Sequence, residues 1–288
     1  MIVERRPGGI NQQVVAPEAR NKCLHLRFTS SCLSWVIERR DGGFAAVWSV
    51  EIRSGVGLES AMEILMQNTL VERLKTGCAE EWRAYVEHEF TRNLADGTLS
   101  EAAFKHYLIQ DYLFLKHFSR AWALMVYKAE DVAAMQSAVA VLDGLLNHEM
   151  ALHRDYCTQW GIEPDELEAA PEARANMAYT RYVLDAGMAG DRLDLLTTLA
   201  PCVVGYAEIG LECARKNEGG LEQHPYAHWI KTYSDDEFQD LARSVREQMD
   251  TLFSARGGEH RLPSLQRLFS DATRLEQSFW AMGLHQSQ

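Results

Sequence analysis

From about residue 61 onward, apolar residues recur every three or four positions, the spacing of one face of an α-helix. The segment LSEAAFKHYLIQDYLFLKHFSRAWALMVYKA (99–129) begins with Ser100 as a candidate N-cap and Glu101 in the first turn. Similar patterns predict further helices over 131–161, 171–187, 191–220, 235–253 and 262–284, with a short one near 224–230. Near-continuous helices with short connections predict an all-α helical bundle.

Proline and glycine mark several of the predicted helix boundaries. The 131–161 helix is expected to start at Asp131 and to stop at Gly161. The 171–187 helix opens on proline and closes on glycine, the usual asymmetry. The long apolar helix over 191–220 is expected to be interrupted at Pro201, because proline lacks a backbone N–H and clashes with the preceding turn.

Residues 1–60 have a different character. They hold eight Lys and Arg against six Asp and Glu, a net charge of +2, which leaves −14 for the remainder. Two β-like runs, CLSWVIE and FAAVWSVEI, flank Asp41-Gly42-Gly43 and are compatible with a hairpin, but two strands alone are marginal in water. Two interpretations of residues 1–60 stay open. The segment is either poorly ordered, and could even lie upstream of a true start at Met62, or it is a small accessory element docked on a catalytic helical domain, 61–288.

Composition and charge restrict the class of protein. The 288 residues are 47% hydrophobic and 24% charged, as in an ordinary globular protein. A net charge of −12 and the lack of a basic cluster argue against a nucleic-acid partner. The sequence contains no run of 18 apolar residues, so it predicts no membrane span. Six scattered cysteines without a CxxC pair indicate reduced thiols, and the N-terminus resembles no secretory signal, so a cytoplasmic location is predicted.

Two carboxylates lie among apolar residues of the predicted helices. Asp111 stands in YLIQDYLFL, and Glu276 stands in RLEQSFWAMG, three and four residues before two aromatics. An unpaired buried carboxylate is costly. Asp111 is therefore either part of a structural ion pair or a ligand-binding group. Glu276 either lies at the solvent edge or faces the core, where burial would raise its pKa and suit it to proton transfer.

The stretch LAPCVVGYAEIG (199–210) places a cysteine directly after Pro201. A free cysteine is usually a small buried hydrophobic residue. Cys202 and Tyr206, however, are four residues apart and share a helix face, and a bend at the proline would expose them to a cavity. Tyr179 in AYT and Tyr233 in KTY are, taken alone, more typical of core packing.

The segment HEMALHRDY (148–156) allows a metal-binding interpretation. Glu149 and His153 are four residues apart and could act as two ligands, but the HExxH motif is absent and no convincing further ligands are evident.

Six segments in order resemble the TenA family, thiaminase II: IQDYLFLKHF, HEMALHRDY, AYTRY, LAPCVVGYAEIG, HWIKTY and LEQSFW. The resemblance covers about residues 65–285 and leaves 1–60 without a counterpart. It implies a heme-oxygenase-like helical bundle that assembles as a homotetramer. It also implies a thiamin-salvage activity, which converts 4-amino-5-aminomethyl-2-methylpyrimidine to the 5-hydroxymethyl compound and ammonia, with thiamin as a further substrate, and without metal or organic cofactor.

The resemblance also implies a role for each site residue. Cys202 would be the nucleophile, Glu276 the acid/base, and Asp111 the group that binds the pyrimidine amino group and ring nitrogen. The remaining positions would line the pocket: Tyr179, Tyr206, Tyr233 and Phe279. Phe114 stands where many members have a tyrosine. This side chain lacks the hydroxyl, so a hydrogen bond from this position to the leaving group is in doubt.

Two alternatives remain open. The first is an oxidase on the same fold, either di-metal or cofactorless, with Glu149 and His153 as its best support. The second is a pyrimidine-binding or regulatory protein without catalysis, although neither a helix-turn-helix signal nor a basic face favours DNA binding.

Overall fold

A computed structural model describes residues 12–15, 35–40, 47–52 and 69–288. The chain divides into two compact units, Met1–Gln67 and Asn68–Gln288. The expectation of poor order for the rest of residues 1–60, and the question of a start at Met62, fall outside the described residues.

The first unit contains a three-stranded antiparallel sheet in the order β1-β3-β2. Its strands are β1 (Gln12–Val15), β2 (Trp35–Arg40) and β3 (Val47–Ile52). Strands β2 and β3 pair from Trp35 opposite Ile52 to Arg40 opposite Val47, which is the pairing that the hairpin interpretation predicts. Strand β1 adds to the other edge of β3, and the sequence analysis did not predict it.

The second unit is helical, and the all-α prediction is confirmed for residues 69–288. Its α-helices are α1 (Leu70–Gly77), α2 (Ala79–Val86), α3 (Glu89–Ala95), α4 (Glu101–Tyr127), α5 (Val132–Gly144), α6 (Met150–Gln159), α7 (Pro164–Ala169), α8 (Arg174–Ala189), α9 (Arg192–Lys216), α10 (Ala227–Ser234), α11 (Asp236–Ala255) and α12 (Leu262–His285). Helices α8, α10, α11 and α12 pack around α9, and α4 packs on α5, α8 and α12. The site residues therefore lie on helices that meet inside the bundle.

Most predicted boundaries are close to the observed ones. Ser100 caps α4 by accepting a hydrogen bond from the Ala103 N–H, and Asp131 caps α5 by accepting one from the Ala134 N–H at 2.8 Å. The predicted 131–161 helix is in fact α5 and α6, joined by a single π-helical turn at Leu145–Glu149.

The predicted end of α8 at Gly187 is wrong, because the helix runs on to Ala189. A Cβ at position 187 would lie 2.7 Å from a side-chain atom of Leu195 and 3.0 Å from one of Leu124. This glycine therefore permits close packing against α9 and α4 rather than ending the helix.

The predicted interruption at Pro201 is also wrong, because α9 runs unbroken through it. Side-chain hydroxyls supplement the helix backbone nearby: Thr197 donates to the Leu193 carbonyl at 2.7 Å, and Tyr85 donates to the Pro201 carbonyl at 3.2 Å. Within the described residues, α9 alone is long and apolar enough to cross a membrane, but 83% of its apolar window is buried inside the protein. It is therefore the central helix of the bundle.

Candidate active site

The sequence-predicted residues come from five helices, the central helix α9 and four others. Asp111 and Phe114 lie on α4, Tyr179 on α8, Cys202 and Tyr206 on α9, Tyr233 on α10, and Glu276 and Phe279 on α12. Six of these eight are buried, and Cys202 and Tyr233 are half-buried. Contacts and charge interactions connect them into one group, described below.

Glu276 faces the core and not the solvent edge, with only 1% of its surface exposed. Its Oε1 accepts a 2.8 Å hydrogen bond from the Tyr179 hydroxyl. Burial, opposed by the Tyr179 hydrogen bond and assisted by the Asp111 charge, raises the pKa of Glu276 to about 8. Glu276 therefore carries a proton near neutral pH and can donate it.

Gln110, the neighbour of Asp111, fixes the start of α8 and with it Tyr179. Its side-chain N–H donates to the Pro171 carbonyl at 2.9 Å, and its side-chain oxygen accepts from the Ala173 N–H at 2.9 Å. The Asn176 amide donates to the Gln110 carbonyl at 2.8 Å. Because Tyr179 follows Asn176 by one turn, this buried polar cluster sets the position of its hydroxyl.

Asp111 is buried, and burial raises its pKa to about 7, while a hydrogen bond from the Tyr107 hydroxyl opposes the shift. His153 lies behind it, with Nδ1 3.7 Å from Asp111 Oδ2. The Nε2–H of His153 donates to the Leu108 carbonyl at 2.9 Å, so Nδ1 is the unprotonated nitrogen of the neutral ring. Burial lowers the pKa of His153, which keeps the ring neutral.

Cys202 is not an isolated core thiol, because three carboxyl groups act on it. Burial raises the pKa of Cys202 well above its ordinary value, and the charges of Glu276, Asp111 and Glu149 raise it further. The thiol is therefore protonated in the free protein, and forming the attacking thiolate requires a proton acceptor or a cationic ligand.

Two glycines in the 199–210 stretch let neighbouring groups approach α9. A Cβ on Gly205 would lie 2.2 Å from the Tyr85 ring, and one on Gly210 would lie 2.5 Å from the Tyr233 backbone. The second close approach brings the Tyr233 ring to 4.9 Å from that of Tyr206, edge-on. The glycines therefore place α2 and α10 against the same part of α9.

Aromatic rings form the apolar side of the site. The ring of Phe114 lies 5.2 Å from Tyr179 and 5.6 Å from Phe279, between centroids. A cavity of about 10 Å³, lined in part by Phe114, His117 and Thr180, adjoins this group. The volume is close to that of one water probe, so a pyrimidine ring requires side chains here to move.

Sequence reasoning missed Tyr107, which links Asp111 to the tyrosines of the other helices. Its hydroxyl accepts a 3.1 Å hydrogen bond from the Trp229 indole N–H. It also takes part in hydrogen bonding with Tyr206 and Tyr233, which opposes the rise that burial causes in its own pKa. The signal was present, because Tyr107 precedes Asp111 by four residues and so shares its helix face.

The metal-binding interpretation of Glu149 and His153 gains no further ligands. Among the described side chains of residues 69–288, no group of three or more His, Cys, Asp and Glu is arranged to hold a metal ion. Glu149 lies on the π-helical turn, and burial, together with the Asp111 charge, raises its pKa to about 7.

The fold is that of the heme-oxygenase-like helical bundles. A domain from Shewanella denitrificans described as having a heme oxygenase-like fold superposes with a TM-score of 0.59 at 14% identity, over 75% of this chain and 92% of that one. A TenA family transcription regulator from Silicibacter sp. TM1040 superposes with a TM-score of 0.71 at 43% identity, over 75% of this chain and 96% of that one.

Comparison with related sequences identifies the protein family. An aminopyrimidine aminohydrolase of Halalkalibacterium halodurans is 35% identical over 206 residues, which are 71% of this chain and 91% of that protein. The family described as TENA/THI-4/PQQC matches residues 78–286. The chain belongs to this family.

Proposed function

We propose that the protein is an aminopyrimidine aminohydrolase, thiaminase II, that converts 4-amino-5-aminomethyl-2-methylpyrimidine to the 5-hydroxymethyl compound and ammonia in thiamin salvage. Thiamin is a further candidate substrate. The names of the relatives and the family membership support the activity. The observation that carries the assignment of residues is the buried Tyr179–Glu276 hydrogen bond beside a thiol on which Glu276 and Asp111 both act.

In this proposal the carboxyl groups bind the ring by its polar edge. Asp111 accepts the exocyclic N–H, and Glu276 donates its proton to a ring nitrogen, which a pKa of about 8 allows near neutral pH. The protonated ring is then a better electrophile. The rings of Phe114 and Phe279 face the flat pyrimidine, since aromatic faces suit stacking.

The protonated ring also activates Cys202. A cation in the site offsets the carboxylate charges that raise the pKa of the thiol, so the thiol proton can pass to a neighbouring base. The thiolate forms a C–S bond to the ring. The substrate amine leaves from its protonated, ammonium form: the electron pair gained by the ring forms a double bond to the methylene carbon, the C–N bond breaks, and ammonia departs with the pair of that bond.

Water completes the exchange. Its oxygen adds to the exposed methylene carbon, one of its protons goes to the active-site base, and the C–S bond breaks to return the thiolate. The result is a hydroxymethyl group on the ring and a regenerated Cys202. Side chains and water suffice for every step.

The direct test is ammonia release from the aminopyrimidine, with thiamin measured in parallel. We expect turnover by the intact protein and a loss of at least about a thousandfold in Cys202→Ala, typical of removing a nucleophile. The matched control is Cys213→Ala, a buried thiol on the same helix, which should keep its activity. A folded protein that releases no ammonia, or a Cys202→Ala variant as active as the parent, would contradict the proposal.

We also propose that the chain forms a homo-oligomer. Helix α5 and the turn after it expose a row of apolar side chains: Val132 (68% exposed), Met135 (38%), Val139 (48%) and Leu146 (51%). Such a face is typical of interaction surfaces. Analytical ultracentrifugation should find a tetramer, and Val139→Lys should reduce the association. A monomeric parent would contradict this.

The acidic net charge favours neither nucleic acid nor an anionic membrane as partner, and we propose a cytoplasmic location.

A further inference from the structure

We propose that His153 is a positioning residue that orients the Asp111 carboxyl group toward the exocyclic amino group of the substrate. The inference rests on the aminohydrolase function proposed above, in which Asp111 accepts the exocyclic N–H. The mechanism assigns His153 no role, and the sequence analysis considered it only as a metal ligand. Its Nδ1 lies 3.7 Å from Asp111 Oδ2, and the two side chains are 9% and 7% exposed.

The first observation is that α4 fixes the His153 ring in two ways. The Nε2–H donates to the Leu108 carbonyl at 2.9 Å. The ring stacks on Tyr112, with 6.2 Å between centroids and 29° between planes. Leu108 and Tyr112 flank Asp111 on the same helix. One short stretch of α4 therefore both holds the imidazole and carries the carboxyl group that it faces.

The second observation concerns what the ring presents to Asp111. A neutral imidazole that carries its proton on Nε2 has only a lone pair on Nδ1. Oδ2 of an ionised Asp111 would also be an acceptor. Two acceptors have no attraction at 3.7 Å, which is longer than a hydrogen bond. The contact can close only when a proton lies between the two atoms, and such contacts are often long in proteins without a bound ligand.

The proton that fits this gap is the one that Asp111 itself carries. Among the described residues 69–288, no lysine or arginine forms an ion pair with Asp111, and a buried carboxylate without a cation is costly. Burial raises the pKa of Asp111 to about 7 despite the hydrogen bond from Tyr107, so a large share of the molecules carry this proton near neutral pH. An O–H on Oδ2 then donates to Nδ1 of His153.

This arrangement leaves Oδ1 of Asp111 free of the proton and therefore an acceptor. The substrate amino group needs an acceptor, since an Asp111 O–H turned toward it would oppose the amino hydrogen. By holding the proton on the far side of the carboxyl group, His153 selects the orientation that binds the amine. An orientation that is set before the ligand arrives lowers the cost of binding. A ligand without the amino group gains nothing from it.

The test separates the two ring nitrogens of His153, because amide side chains replace them one at a time. Asparagine places its amide oxygen near the position of Nδ1, and glutamine places its amide N–H near the position of Nε2. His153→Asn should therefore keep an acceptor for Asp111 and lose the bond to the Leu108 carbonyl. His153→Gln should do the reverse. A merely structural role of His153 predicts the opposite ranking, because the bond to the Leu108 carbonyl joins two helices.

The readout is the preference for the amino group, measured by calorimetry. It is the ratio of dissociation constants for the hydroxymethyl compound and for its analogue that lacks the exocyclic amino group. We expect His153→Gln to lower this preference by about fivefold to tenfold, as for one lost hydrogen bond in a buried site. His153→Asn should change it by less than about twofold, and should melt about 2–4 °C below His153→Gln.

His224 offers a matched control outside the site. Its Nε2 contacts the Ala95 carbonyl at 3.1 Å, and its Nδ1 accepts the Tyr226 N–H at 3.1 Å, so its two nitrogens have the same roles as those of His153. His224→Asn and His224→Gln should leave the preference for the amino group unchanged.

A His153→Gln protein that keeps the preference of the parent would overturn the inference, as would an equal loss in His153→Asn and His153→Gln. If neither amide variant folds, His153→Phe keeps a ring beside Tyr112 and removes both nitrogens. It should lose the preference as well, and an unchanged preference would overturn the inference.

The proposed function is judged separately, by ammonia release from the parent. A parent that binds both ligands without turnover would contradict the activity, while the preference for the amino group would still decide the role of His153. A parent that binds neither ligand would overturn both proposals.

Discussion

The Tyr179 hydroxyl donates a 2.8 Å hydrogen bond to Oε1 of Glu276, which joins α8 to α12 inside the bundle. Both side chains are buried, so water does not compete for this contact, and each group affects the proton affinity of the other. The hydrogen bond opposes the rise that burial causes in the pKa of Glu276, while burial and the Glu276 charge raise the pKa of Tyr179. The pair therefore sets the pH range in which Glu276 can donate a proton.

Replacing Tyr179 by phenylalanine should shift the pH dependence of kcat/KM to higher pH. Without the hydroxyl, the pKa of Glu276 should rise above its value of about 8. The rate at neutral pH should fall by about tenfold, because the carboxylate that forms when Glu276 donates its proton loses a stabilising hydrogen bond. The measurement is kcat/KM from pH 6 to 10. Tyr182→Phe, on the same helix, is the control, since its hydroxyl contacts Asp271. A lowered rate with an unmoved inflection would mean that Tyr179 acts on some other group.

The substitution Glu276→Gln should stabilise the fold at pH 8 relative to the parent, with no such gain at pH 4. The native pKa of Glu276 is raised to about 8 from an ordinary value of 4.5, so the folded state holds the proton more tightly than the unfolded state. The parent therefore loses stability as the pH rises from 4.5 to about 8. At about 1.4 kcal/mol per pKa unit, the loss reaches a few kcal/mol.

Denaturant unfolding at the two pH values measures this difference. Glu166→Gln, at an exposed carboxylate, should show no comparable gain. A Glu276→Gln variant that is destabilised equally at both pH values would show that the carboxyl is held by packing alone.

The substitution Gly205→Ala should destabilise the protein by about 1–3 kcal/mol, the usual cost of overpacking. The added Cβ would lie 2.2 Å from a ring atom of Tyr85, which is fully buried and holds the Pro201 carbonyl. The matched control is Gly144→Ala, at a helical position where, apart from its chain neighbours and its own helix backbone, nothing lies within 4 Å of the added carbon. It should be neutral or stabilising by about 0.5–1 kcal/mol. Thermal unfolding compares the two, and equal melting temperatures would contradict the close approach of α2 to α9.

The substitution Phe114→Tyr should raise kcat/KM for the aminopyrimidine by roughly threefold to tenfold, the effect of one new hydrogen bond in a buried site. The ring of Phe114 packs against Tyr179 and Phe279 and borders a cavity of about 10 Å³, so there is space beside the ring for one added oxygen. Steady-state rates with the aminopyrimidine and with thiamin measure the effect. Phe118→Tyr, which lines the same cavity one turn later, is the control. Equal rates for Phe114→Tyr and the parent would mean that the missing hydroxyl does not limit this protein.

Much of the helical unit could be predicted from periodicity and capping, because Ser100, Asp131 and Asp235 each accept a backbone hydrogen bond at the start of a helix. Local sequence patterns gave wrong helix ends and interruptions where tertiary contacts determine the structure. Gly187 does not end α8, since its role is close packing against Leu195. Pro201 does not interrupt α9, a helix whose apolar window is 83% buried among its neighbours.

The candidate site was predictable by residue type and resemblance, but its electrostatics were not. The sequence places Asp111, Cys202 and Glu276 on three helices, and only their packing shows that the carboxyl charges act on the thiol. The π-helical turn that ends at Glu149 was equally hidden, since nothing in HEMALHRDY distinguishes it from a regular helix.

The three carboxyl groups of the site are partly or largely protonated in the free protein near neutral pH. Asp111 and Glu149 have pKa values raised to about 7, and Glu276 to about 8. A positively charged ligand lowers all three pKa values, so its binding releases protons to the solution. The heat of complex formation then includes the ionisation enthalpy of whatever buffer takes them up, and it differs between phosphate and Tris at one pH.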